Sequence, residues 1–102
     1  NTVEISDDDK HIKLTDQNKN EIVMNSSGIS LSSAKDITLK AKGAITIEAT
    51  SKINATAKQD VSLEGLNVKM EAKVSATVKG NAKAELLASG QTTVKGAMVM
   101  IN

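Results

Sequence analysis

The side chains able to do chemistry are few and poorly grouped. His11 is the only histidine, and it opens an apolar run, "HIKL", in a chain without cysteine or a second histidine to complete a metal set. In a threefold assembly three copies of His11 could converge on an ion; the plainer reading is a solvated surface residue. Asp7, Asp8 and Asp9 supply carboxylates in a row. Calcium loops instead space their ligands at alternate positions and add a distal bidentate glutamate, so "DDDK" reads as a turn. Ser and Thr are plentiful, yet a hydrolytic nucleophile requires a positioned base and oxyanion donors, which one histidine does not provide. The glycines at 28, 43, 65, 80, 90 and 96 fall mostly in corners, where positive φ is useful, and none opens a phosphate loop ahead of a helix. The expectation is therefore no enzyme activity, no metal and no cofactor.

The elements that carry these residues are unusual in composition. The 102 residues are 39% hydrophobic but contain no Phe, Trp, Tyr, Pro or Cys, so any core must be built from Ile, Val, Leu, Met and Ala. A core of that kind in so short a chain leaves little margin for a monomer, which points to oligomerisation. Thirteen basic residues against twelve acidic ones give a net charge of +1, with the signs interspersed along the chain. Such a surface offers nothing to attract nucleic acid or an anionic bilayer, and there are no aromatic rings to stack on bases. No apolar run approaches the length of a membrane span, and no signal-like start is present.

The chain is organised by repetition. Apolar positions in the pattern X-polar-X recur every eight residues at Ile29/Leu31, Ile37/Leu39, Ile45/Ile47, Ile53/Ala55 and Val61/Leu63. One unit, at "EGLNVKME", is a residue shorter and gives Val68/Met70; the octad then resumes at Ala76/Val78, Ala84/Leu86 and Thr92/Val94. The residue inside each pair is polar or small, the period-2 mark of a strand with one buried face. Stretches such as "KAKGA" and "EATSK" separate the pairs and read as corners. One octad supplies a single side of a triangle, too little for a coil to close on itself. Three chains wound about a common axis solve this, with all ladder hydrogen bonds along the shaft running between chains. The predicted fold is all-β, a homotrimeric intertwined triple-stranded β-helix whose core is formed by the aliphatic members of these pairs.

Two other readings compete. The Ala/Lys/Glu-rich part "KMEAKVSATVKGNAKAELLA" could be helical, but octad pairs keep no heptad seam and Thr, Ser, Gly and Asn recur within it. A flat ice-binding array would need one repeated residue on the outer face, where Ser, Thr, Asn, Lys and Glu vary instead. Alanine replaces larger residues at Ala55, Ala76, Ala82 and Ala84, which predicts a core thinning towards the C-terminus.

Before Gly28 the pattern differs. Val3/Ile5, Ile12/Leu14 and Ile22/Met24 are separated by longer polar gaps, and "DDDK" and "DQNKN" carry turn chemistry. The chain thus divides into N-terminal strands and turns over 1–27, an octad shaft over 28–96 and an apical tip strand over 97–102. Starting abruptly on strand pattern, it reads as a fragment of something larger. In the ending, "TTVKGAMVMIN", Met98, Val99, Met100 and Ile101 are apolar on both faces. Continuing the octad turns Met100 inward; a one-residue slip turns Val99 and Ile101 inward. Either way apolar groups are left over, to plug the open end or to dock another protein. "IVM" at 22–24 is likewise apolar throughout.

"NEIVMNSSGISLSSAKDITLKAKG", the octads that follow and the ending "ASGQTTVKGAMVMIN" together resemble the C-terminal β-helix of VgrG spike proteins of type VI secretion systems. They are equally similar to the spikes of extracellular contractile injection systems and to the cell-puncturing device of contractile phage tails. The resemblance spans nearly all of the chain. It implies a homotrimeric needle, assembled in the bacterial cytoplasm and secreted as part of an injection apparatus that pierces a target-cell membrane. It further implies that Met98, Val99, Met100, Ile101 and Asn102 form a platform for a PAAR-repeat tip protein or an effector. Some relatives end in a His-x-His iron site, which this chain lacks, and the family's hub and oligosaccharide-binding domains have no counterpart in these residues. A trimeric receptor-binding tail fibre is the alternative, although such a fibre should display variable loops or aromatic platforms for glycans. An enzyme carried on the same scaffold is a third possibility, with no catalytic set visible.

Overall fold

The computed structural model describes Asn1–Asn102 and is all-β, with four strands and no helix. No helix is therefore long and apolar enough to cross a membrane. The Ala/Lys/Glu-rich segment, for which a helix was the competing reading, runs extended between bends. The chain forms two units, Asn1–Asn54 and Ala55–Asn102.

The first unit begins with an antiparallel meander of β1 (Thr2–Ser6), β2 (His11–Thr15), β3 (Glu21–Asn25) and β4 (Gly28–Ser32), in the order β1-β2-β3-β4. Alternation dictates these strands, and the register follows from it. Val3 lies opposite Leu14, Leu14 opposite Ile22, and Ile22 opposite Leu31; one step along, Ile5, Ile12, Met24 and Ile29 line up in the same way. Opposed residues in an antiparallel pair project to the same face. The sheet therefore carries two apolar rungs, each four residues wide, on one face, and on the other polar side chains with Val23 among them, between Lys13 and Ser30. A register slip of one residue would send every apolar side chain to the wrong side.

The connections explain why the strands end where they do. Asp7–Lys10 turns β1 into β2, and Lys10 closes it with φ 53°. Asp16–Asn20 turns β2 into β3 with Lys19 at φ 69°. Both lysines sit in the left-handed region, which costs a residue bearing a Cβ on the order of 1 kcal/mol. The third connection is the two-residue Ser26–Ser27, and there the positive φ (123°) falls on Gly28, where it carries no steric penalty. Gly28, expected to mark the entry to the shaft, thus opens the fourth strand of the sheet, and Ile29 and Leu31 pair with β3 of their own chain.

From Ser33 onward no segment pairs with another in the chain, and the backbone runs extended between regular bends. The bends fall at Ala34–Lys35, Lys42–Gly43, Thr50–Ser51 and Lys58–Gln59, then at Leu66–Asn67, Lys73–Val74, Asn81–Ala82, Ser89–Gly90 and Ala97–Met98. Successive bends are eight residues apart except between Leu66 and Lys73, where the interval is seven. Each bend begins three residues after the second member of an apolar pair, so the residue missing from the short unit lies between its first corner and Val68. Ala82, counted above among inward positions, lies in a corner, whereas Ala76 and Ala84 occupy pair positions.

Glycine serves these corners differently from the expectation of positive φ, which among the glycines only Gly28 adopts. What matters at three corners is space. A Cβ at Gly80 would run into the carbonyl of Lys83, one at Gly96 would lie 3.0 Å from the Met98 carbonyl oxygen, and one at Gly65 would lie 3.2 Å from that of Asn67. Gly43 and Gly90 face open space.

No residue of the chain is buried. Its accessible surface is 11099 Å², about twice the ~5,500 Å² typical of a folded monomer of this mass.

Candidate functional site

The predicted core positions share one property: each is apolar and uncovered. Ile37, Leu39, Ile45, Ile47 and Ile53 in the first unit, and Val61, Leu63, Val68, Met70, Val78, Leu86 and Val94 in the second, are all exposed within the single chain. In an extended backbone residues two apart share a side, so each pair forms a small apolar step opposite the residue between its members. Two ion pairs mark the opposite side. Lys69 and Glu71 flank Met70 with Nζ and Oε2 3.2 Å apart, and Lys83 and Glu85 flank Ala84 at 2.8 Å. Contacts between residues two apart require the extended geometry and put charge on the side away from the apolar step. Being exposed, they contribute little to stability.

The apolar stripe meets the sheet without a break in character. Val3, Leu14, Ile22 and Leu31, one complete rung, line a shallow groove of about 470 Å³ that also takes in Ile37, first member of the next octad pair. The polar face of the sheet bears its own diagonal ion pairs. Lys13 Nζ approaches Glu21 Oε2 at 3.7 Å, and His11 Nε2 lies 3.4 Å from Glu4 Oε2 without the alignment of a hydrogen bond. His11 and its neighbours alternate along β2, so the imidazole projects away from the apolar rungs. If those rungs face a symmetry axis, three imidazoles cannot meet there. Nor do three His, Asp or Glu side chains gather anywhere in the chain in a way that could hold a metal ion. Asp7, Asp8 and Asp9 occupy the β1–β2 turn, where Ser6 Oγ accepts a hydrogen bond from the Asp9 N–H at 3.1 Å.

Sequence reasoning missed the fastening between the sheet and the first corner. Asp16 Oδ1 accepts from the backbone N–H groups of Asn18 (2.9 Å) and Asn20 (2.8 Å), and Oδ2 accepts from the Asn20 side-chain amide at 3.0 Å. Asn20 Oδ1 in turn accepts from Ser33 Oγ at 2.8 Å and from the Ala34 N–H at 3.4 Å. The β2–β3 turn thereby holds the chain just where it leaves β4 and bends. Donation from the Asn20 backbone first, then from its side chain and from Asn18, keeps the Asp16 carboxyl below the ordinary carboxylate range. "DQNKN" signals the turn locally, but its link to Ser33, thirteen residues from Asn20, leaves no local trace.

At the C-terminal end the last bend takes in Met98, leaving Val99, Met100, Ile101 and Asn102 as the final segment. The preceding corner interval is a full eight residues, so counting forward puts Met100 on the side of the octad pairs. Within the chain Val99 is the less exposed, at 50% against 86% for Met100. Met98, Met100 and Ile101 stand almost fully in solvent. Comparison with protein-family models and with curated proteins finds no match to this chain.

Proposed function

We propose that this chain is a strand of a homotrimeric spike, a mechanical part of a contractile injection machine that pierces a target membrane and carries a tip protein or effector at its C-terminal end. The observation that carries the reading is the uncovered octad: nine corners at near-constant interval, an apolar step in each segment, and no residue buried by the chain itself. Roughly half of the 11099 Å² surface must be covered to reach the exposure of an ordinary folded protein. That demand is of the size met by obligate interfaces.

Three copies meet it with the fewest assumptions. Each layer then takes one strand from every chain, six inward side chains fill it, and burial contributes ~1.5 kcal/mol or more for each aliphatic one. Unpaired backbone N–H and C=O groups between Ser33 and Asn102 find partners in the neighbouring chains. Layers about 4.8 Å apart make a shaft in which many interchain ladders must break together, the property a needle needs under load. Met98 to Asn102 then form a blunt apolar end, suited to docking a PAAR-type cone or an effector. The part is structural and not catalytic.

Sedimentation of the purified chain tests the first half of the reading, with a mass of three times 10.7 kDa expected; a single folded chain in dilute buffer would end it. Capture of a PAAR protein, lost on Met100→Asp, tests the second half. Adhesion to whole bacteria or glycans without cone binding would instead favour a receptor-binding fibre.

A further inference from the structure

We infer that Met98 and Met100 are sites of reversible oxidation, and that their conversion to sulfoxides switches off docking at the C-terminal end. This rests on the proposed reading of that end as a docking platform and adds a chemical control to it.

The chain has four methionines and no cysteine, tryptophan or tyrosine, so thioether sulfur is the group that a peroxide oxidises first. The places of the four differ. Met24 stands half-buried in the sheet between Ile12 and Ile29. Met70 closes an octad pair with Val68, whereas Met98 and Met100 fall within the last five residues. Exposure in the single chain does not separate them, since Met70 is 73% open against 79% for Met98. Assembly does. A member of an octad pair is enclosed between the layers above and below it, while the last segment has a layer on one side only, so its sulfurs keep a path to solvent.

At this end the same side chains supply the apolar surface and the reactive atom. Two of the four residues Met98, Val99, Met100 and Ile101 are methionine, and no charged side chain follows Lys95. Hydrogen peroxide transfers one oxygen atom to each sulfur: the O–O bond breaks, an S–O bond forms, the sulfur gives up two electrons and the peroxide leaves as water. A flexible apolar side chain becomes a polar sulfoxide, which methionine sulfoxide reductases return to the thioether. A partner that covers the apolar end must then desolvate sulfoxide oxygens from every chain around the axis, without donors chosen to receive them. Docking and oxidation therefore exclude each other, because a docked partner also shields the sulfurs on which it rests.

The full chain provides the test, with hydrogen peroxide as the oxidant and a PAAR protein as the docking probe. Peptide masses should rise by one oxygen at Met98 and Met100 about tenfold faster than at Met24 and Met70. Capture of the probe should fall about tenfold after oxidation and return on treatment with methionine sulfoxide reductases. Probe bound beforehand should slow oxidation at residues 98 and 100 and leave the rate at 24 and 70 unchanged. In a chain carrying both Met98→Leu and Met100→Leu, whatever capture the substitutions leave should not respond to peroxide; a loss there would place the sensitivity elsewhere and overturn the inference. An oxidised end that captures the probe undiminished, or end sulfurs that react no faster than those of Met24 and Met70 in a chain sedimenting as a trimer, would also overturn it and leave the spike reading intact. A reduced chain that captures no probe would end the docking half of that reading and this inference with it.

Discussion

The sheet over Thr2–Ser32 and the bent, extended segments after it use the same alternation of apolar and polar residues, yet they solve the hydrogen-bonding problem in opposite ways. In the sheet, gaps between apolar pairs are long enough for turns that reverse the chain, and each strand finds its ladder partner next to it. Past Ser33 the chain turns a corner at each gap without reversing, and no segment finds a partner in its own chain. Gap length does not separate the two, since the β3–β4 reversal uses only four residues between Met24 and Ile29; each reversal carries a positive-φ residue, Lys10, Lys19 or Gly28, and no bend past Ser33 does.

Several measurements would break or sharpen that contrast. The largest effect is expected at an octad pair. Ile45→Asp puts three carboxylates at one level of the proposed core, at about 3–5 kcal/mol for each uncompensated buried charge, and trimer should vanish from sedimentation profiles. In that same variant, hydrogen exchange should separate the two regions: amides of β2 and β3 retain measurable protection, and those between Asp36 and Gly96 exchange as in an unfolded chain. Equal loss in both would show that the sheet also depends on assembly for its ladder.

Corner space gives the next effect. Gly80→Ala must displace the Lys83 carbonyl and should lower stability by about 1–3 kcal/mol per chain, whereas Gly90→Ala meets open space and should change the melting temperature little. The turns should give smaller shifts. Lys10→Gly removes a left-handed Cβ and should stabilise the sheet by about 0.5–1 kcal/mol, readable as a rise in denaturation midpoint. Asp16 contributes through pH. Its carboxyl titrates below the ordinary value in the folded chain, so its contribution is fully present above the unfolded pKa of about 3.9. That contribution is lost as pH falls through the lower folded value. Asp16→Asn should therefore lower the midpoint at neutral pH, and the difference from wild type should close in strong acid.

Much of this was legible in particular residues. The spacing of Ile37/Leu39, Ile45/Ile47 and Ile53 located the bends that follow them, and the early arrival of Val68 located the seven-residue interval. "DDDK" and "DQNKN" gave turns because Asp and Asn side chains stabilise them locally. The membership of Ile29 and Leu31 was not legible. Their spacing matches the octad, but a two-residue connection at Ser26–Ser27 folds them back onto β3. The role of Asn20 was equally hidden, since its bond to Ser33 spans a whole strand.

By itself, then, the sequence determined an all-β chain, the shared face of the apolar pairs in the sheet and the interval between corners, because alternation and turn chemistry act over a few residues. Only the tertiary structure decided that β4 belongs to the meander, that the two rungs align across four strands, and that the polar ion pairs lie opposite them. Those outcomes depend on which strand lies beside which, and that is fixed by contacts between residues far apart in the chain.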